Sequence, residues 1–101
     1  MRIRPTTNGT ISQLKAELDQ GHPVIIHGYF TSYGHVVVAL GYDANGYFVH
    51  DPAGRWSERF RGGYDDDGSG QNVYYSESAF ETAVATSNGY DYAPLWFHAL
   101  D

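Results

Sequence analysis

Gly34-His35-Val36-Val37-Val38-Ala39-Leu40-Gly41-Tyr42, Asp43-Ala44-Asn45, then Gly46-Tyr47-Phe48-Val49-His50-Asp51-Pro52 is the stretch that decides the fold. Two apolar runs flank a turn of Asp, Asn and Gly, residues that supply turn hydrogen bonds and unusual backbone angles, so the segment predicts a β-hairpin. Pro52 cannot donate to a ladder and ends the second strand. An imidazole at the start of one strand and a carboxylate at the end of its neighbour lie at the same end of the sheet. That is how a carboxylate orients a histidine base. Pairing Tyr42 with Tyr47 in strict alternation, however, sets Asp51 opposite Val38 and turns it to the other face from His35. The two share a face only if a bulge, or a longer loop with Gly46 at positive φ, shifts the register by one.

Working outward, Thr10-Ile11-Ser12-Gln13 reads as a capping box, and Ile11, Leu14, Lys15 and Leu18 form one helical stripe. Gly21 closes that helix and Pro23 forbids its continuation. Val24-Ile25-Ile26-His27-Gly28 is a short, nearly all-apolar strand. Residues 1–9 read as an irregular or extended lead-in, 53–63 as a polar segment with a strand around 56–60, and 64–71 as a Gly/Asp loop. Ser76 caps a second helix, with Glu77 in its first turn and an apolar face of Ala79, Phe80, Ala83 and Val84. Residues 94–100 close the chain as a strand. The class is α+β around a small, mainly antiparallel sheet with two helices, in one domain over residues 1–101.

Composition narrows the function. The formal charge is −6 with six Lys and Arg in all, which argues against nucleic-acid binding. No apolar run approaches the roughly 20 residues of a membrane span, and the amino terminus lacks the apolar segment of a secretory signal. There is no cysteine, so disulfides, thiolate metal sites and a thiol nucleophile are excluded within this chain.

The segments Gly21-His22-Pro23-Val24-Ile25-Ile26, Gly34-His35-Val36-Val37-Val38 and Val49-His50-Asp51-Pro52 resemble a known family. They look like the carboxyl-terminal half of the papain-like cysteine peptidases related to those that cleave double-glycine leaders from bacteriocin precursors. The likeness covers residues 10–56, with 76–84 compatible as a later helix. It implies a papain-like half-domain, with His35 as the catalytic histidine and Asp51 as its orienting partner. It also implies peptide substrates, including bacterial cell-wall peptides, and a bacterial or phage setting. The family's cysteine, which follows a glutamine at the start of an upstream helix, has no counterpart here, and Gln13 and Gln20 do not replace that glutamine. The chain is a fragment, a remnant without peptidase activity, or a user of another nucleophile. A non-catalytic peptide- or glycan-binding module and an assembly role are the alternatives. A sheet edge left by the missing half is expected to pair with a second copy or a partner chain.

Other residues carry weaker expectations. Tyr29, Tyr33 and Trp56 are candidate ligand contacts along a groove, although most of the chain's large rings are expected to pack in the core or on a sheet face. Thr31 and Ser32 are hydroxyls near His35, without a nucleophile-elbow motif. His27, His35, His50 and Asp51 could in principle gather around a metal, but their spacing matches no metal motif. Asp65-Asp66-Asp67-Gly68-Ser69-Gly70 resembles a calcium loop but has Ser76 where the twelfth-position acid belongs. No cofactor or metal is expected.

Overall fold

The fold is known from a computed structural model that describes residues 3–31, 34–64, 70–71, 73–85 and 95–100. In chain order it runs β1 (Ile3–Gly9), α1 (Ile11–Asp19), β2 (Val24–Gly28), β3 (His35–Tyr42), β4 (Gly46–His50), β5 (Val73–Ser76), α2 (Glu77–Ala85) and β6 (Leu95–Leu100). The described strands form one six-stranded sheet, ordered β1-β6-β2-β3-β4-β5, with neighbours antiparallel throughout. The α+β class is as expected. No described helix is long and apolar enough to cross a membrane.

Local chemistry sets the helix ends. The Thr10 hydroxyl accepts from the Gln13 amide at 3.1 Å, and the Gln13 side chain accepts from the Thr10 amide at 3.0 Å. At the other end Gly21 takes φ +80°, its N–H donates to Leu18 O, and the His22 N–H donates to Glu17 O. Those two bonds are the six-to-one and five-to-two pair with which a glycine-terminated helix satisfies its last carbonyls. The turn after β3 is held by Asp43, whose Oδ1 accepts from the Asn45 and Gly46 amides and from the Tyr74 hydroxyl. These contacts, with the Tyr74 bond the largest influence, hold the Asp43 carboxyl below its ordinary value.

Both helices cover the same face of the sheet. Leu14 and Leu18 of α1 and Phe80, Ala83 and Val84 of α2 pack with Val24, Ile26, Val37, Ala39, Tyr47, Val49 and Phe97 in a single core. Phe80 stacks on Tyr47 at 4.6 Å and is fully buried, so its truncation to Ala costs about 3–5 kcal/mol. Lys15 ties the two helices together, reaching Glu77 at 3.2 Å and Glu81 at 3.5 Å. Val36, Leu40 and Phe48 remain exposed.

Two expectations change, and one strand is added. Residues 3–9 form an edge strand, made by pairing with β6, and Pro5 is tolerated there because an edge strand leaves one row of amides unpaired. Residues 73–76 form the strand at the opposite edge. Residues 56–60 do not form a strand: Glu58 and Arg61 have φ of 64° and 60°, so the segment curls into a tongue joined by isolated bridges, Thr31 with Gly62 and Trp56 with Tyr64. The tongue also serves the β5 edge, where Glu58 Oε1 accepts the Ser76 amide at 2.7 Å and Arg55 Nη2 reaches Tyr74 O at 3.5 Å.

Candidate functional site

β3 carries His35 at its first residue and meets β4 with a shifted register. Tyr42 pairs with Tyr47 and Gly41 with Phe48, but Ala39 then pairs with Val49 and Val38 with His50. Leu40 is the extra residue, 41% exposed. It supplies the one-residue shift without any lengthening of the turn, and Gly46 is not among the positive-φ glycines. Continuing the shifted register carries Asp51 opposite Val37, on the face His35 uses. His35 Nε2 accordingly stands 3.4 Å from Asp51 Oδ1.

Gly34 makes the entry to β3. Its φ is +83°, and a Cβ there would stand 2.8 Å from His27 Nε2, so a side chain is disfavoured by both backbone and neighbour. Its amide donates to Thr31 O, and the Thr31 hydroxyl reaches Gly34 O at 3.5 Å. Thr31 is thereby engaged with the loop backbone.

Asp51 is 1% exposed, the one buried charged residue among those described, and a carboxylate so placed is costly unless its lone pairs are satisfied. Oδ2 accepts from the Tyr64 hydroxyl at 2.7 Å and the Tyr75 hydroxyl at 2.8 Å. Oδ1 accepts the Ala53 amide at 3.1 Å and faces His35. Its backbone is also fixed, with the Asp51 amide donating to Gly70 O at 2.8 Å and the Gly54 amide donating to Asp51 O. Gly70 is buried so tightly that a Cβ would collide with the Asp51 and Gly54 carbonyls.

Burial first, and the bond to Asp51 second, push the Tyr64 phenol well above its ordinary value. For Tyr75 burial again leads, and the Trp56 amide, which donates to its hydroxyl oxygen, pulls the other way. Both phenols thus keep their protons and donate. His35 is more open, with 26% of its side chain exposed. Tyr64 meets its ring edge-on at 5.7 Å and Phe30 does so at 6.5 Å. Nε2 is buried and makes no hydrogen bond among the described residues; Asp51 Oδ1, 3.4 Å away, is its near polar neighbour. A carboxylate on that side of the ring favours a proton on Nε2 over one on Nδ1.

The remaining expectations divide. Tyr29 is half-buried, with the Arg61 guanidinium 4.6 Å above its ring and His27 edge-on at 5.6 Å. Trp56, expected to line a groove, is a core residue at 1% exposure whose indole N–H donates to Phe30 O at 3.0 Å. A ring so enclosed has no face for a ligand. Tyr33 and Ser32 lie outside the described residues, as does 65–69 of the proposed calcium loop. His27 pairs with Val36 and His50 with Val38, on the opposite sheet face from His35, so these histidines do not gather with Asp51. Among the described residues no cluster of three or more His, Asp or Glu could hold a metal.

Sequence reasoning missed Tyr64, Tyr75 and Gly70. One signal pointed to the tyrosines: a buried carboxylate with few cations in the chain needs neutral donors, and nine tyrosines were there to provide them.

A family model described as "Peptidase_C39 like family" matches residues 2–84. No curated protein and no solved structure gave a significant match.

Proposed function

Because the chain belongs to the Peptidase_C39 like family and is a peptidase-like domain, we propose that it carries the base half of a peptide-cleaving site, with His35 as general base and Asp51 as its orienting partner. The observation that supports this most is the 3.4 Å approach of His35 Nε2 to a carboxylate held on its other oxygen by two phenols.

In the proposed reaction Nδ1 accepts the proton of the attacking group as that group bonds to the peptide carbonyl carbon. The imidazolium then returns the proton to the nitrogen of the departing amine, and water releases the acyl group by the same base. Asp51 stabilises the imidazolium without taking its proton. No thiol exists in these 101 residues, so thiol attack requires a cysteine from outside them. The same absence favours a second reading, in which the domain holds a peptide or glycan beside His35 without cutting it.

Hydrolysis of an activated ester, p-nitrophenyl acetate, separates the two, since it needs an oriented imidazole but no cysteine. His35→Ala is expected to lower the rate by roughly tenfold, at the low end of what a positioned base contributes, while His50→Ala on the opposite face leaves it unchanged. Equal rates for wild type and His35→Ala would remove His35 from the mechanism and leave the binding reading.

A further inference from the structure

Tyr64 touches both members of the pair: its hydroxyl donates to Asp51 Oδ2 at 2.7 Å and its ring stands edge-on to the His35 imidazole at 5.7 Å and 79°. We propose that Tyr64 is a positioning residue that selects the Nε2-protonated tautomer of His35 by fixing the Asp51 carboxylate and bracing the imidazole plane. The inference rests on the base role given to His35 above.

The torsion that turns a carboxylate about its last bond is broad, so geometry has to come from the groups bonded to it. Two phenols on Oδ2 and the Ala53 amide on Oδ1 fix that plane and leave the free side of Oδ1 toward His35 Nε2. Tyr75 is the weaker selector. Its oxygen also accepts the Trp56 amide at 2.8 Å, and it makes no contact with the imidazole among those described, so its work is mainly to tie the tongue to β5.

Tyr64 lies where tongue meets site. It bridges to Trp56, and its neighbour Gly63 has φ +75° and donates its amide to Phe30 O at 2.8 Å. The Arg61 amide donates to Tyr29 O at 2.9 Å, a second attachment of the same tongue. The tongue's seat beside residues 29–31 thereby fixes where the phenol arrives.

The test is long-range ¹H–¹⁵N correlation of the imidazole in labelled protein, which reads the tautomer directly. Wild type is expected to hold the proton on Nε2. In Tyr64→Phe the ring remains and the hydroxyl is lost, and the tautomer ratio should shift toward Nδ1 by roughly fivefold, the worth of one hydrogen bond, with the backbone amide spectrum otherwise kept. Tyr75→Phe should shift the ratio less and lower stability instead. An unchanged ratio in Tyr64→Phe, or a larger shift in Tyr75→Phe, overturns the proposal. Should Tyr64→Phe fail to fold, the wild-type hydroxyl proton decides: a slowly exchanging Tyr64 O–H supports the bond, and a rapidly exchanging one overturns it. A tautomer that responds to Tyr64 in a protein without ester hydrolysis would sink the base role alone, whereas hydrolysis that depends on His35 with an indifferent tautomer would sink only the part given to Tyr64.

Discussion

β3 has two neighbours and treats them differently. Against β2 it keeps one register through five pairs, from Val24 with Ala39 to Gly28 with His35. Against β4 it loses a residue at Leu40. The regular side continues the core, alternating buried and less buried positions, and fixes which face His35 uses. The irregular side exists where an acid from the next strand has to reach that face. A single uncompensated residue does this because side chains in a strand alternate with period two, so a slip of one exchanges the faces of everything beyond it.

Inserting one alanine between Val49 and His50 strikes at this difference and should have the largest effect. With Ala39 still paired to Val49, the slip of one carries Asp51 opposite Val36, away from His35 and from the Tyr64 and Tyr75 hydroxyls, at about 3 kcal/mol or more in the urea unfolding free energy. An insertion variant as stable as wild type would mean that the register does not place the acid.

Glycines on the two sides sharpen the contrast. Gly70→Ala, with its new methyl driven into the Asp51 and Gly54 carbonyls, should destabilise by about 2–3 kcal/mol and loosen the Asp51 end. Gly41→Ala, inside the bulged stretch, meets Phe48 only at 4.0 Å and should cost less than about 1 kcal/mol, the ordinary glycine-to-alanine scale. Chemical denaturation of the pair checks both. At the start of β3, Gly34→Ala combines φ +83° with a close approach to the His27 ring and should cost about 1–3 kcal/mol.

The smallest expected effect is one of pH. Burial first and the adjacent His35 second hold the His27 imidazole below its ordinary value of 6.5. Between the folded and unfolded values the unfolded chain binds more protons, so stability rises with pH there. The contribution is complete above the unfolded value and is lost as pH falls from about 6.5 through the lower folded value. His27→Gln should flatten that part of a stability–pH curve. A slope unchanged by the substitution would place the titration elsewhere.

Much of this was legible in the residues. The capping box at Thr10, the helix stop at Gly21 and the turn at Asp43 are local chemistry, and each forms the bonds its residue types predict. The edge strands were not legible, since Ile3-Arg4-Pro5-Thr6-Thr7-Asn8-Gly9 has little strand character alone and owes its form to pairing with β6. For Trp56 the sequence left groove and core both open, and only the path of the tongue shows the ring enclosed. Tyr64 and Tyr75 escaped for a related reason: which phenol reaches a buried acid depends on how the intervening chain returns to the sheet, a property no spacing records. The family resemblance implied a one-residue shift, by a bulge or by a longer loop, while plain alternation argued against it.

The most direct measurement is the cross-strand nuclear Overhauser pattern of the β3–β4 hairpin in solution. Backbone contacts joining Ala39 to Val49 and Val38 to His50 are predicted, with Leu40 left out of the ladder. Contacts joining Leu40 to Val49 and Ala39 to His50 would put the imidazole and the carboxylate on opposite faces, and the account of this site would be contradicted.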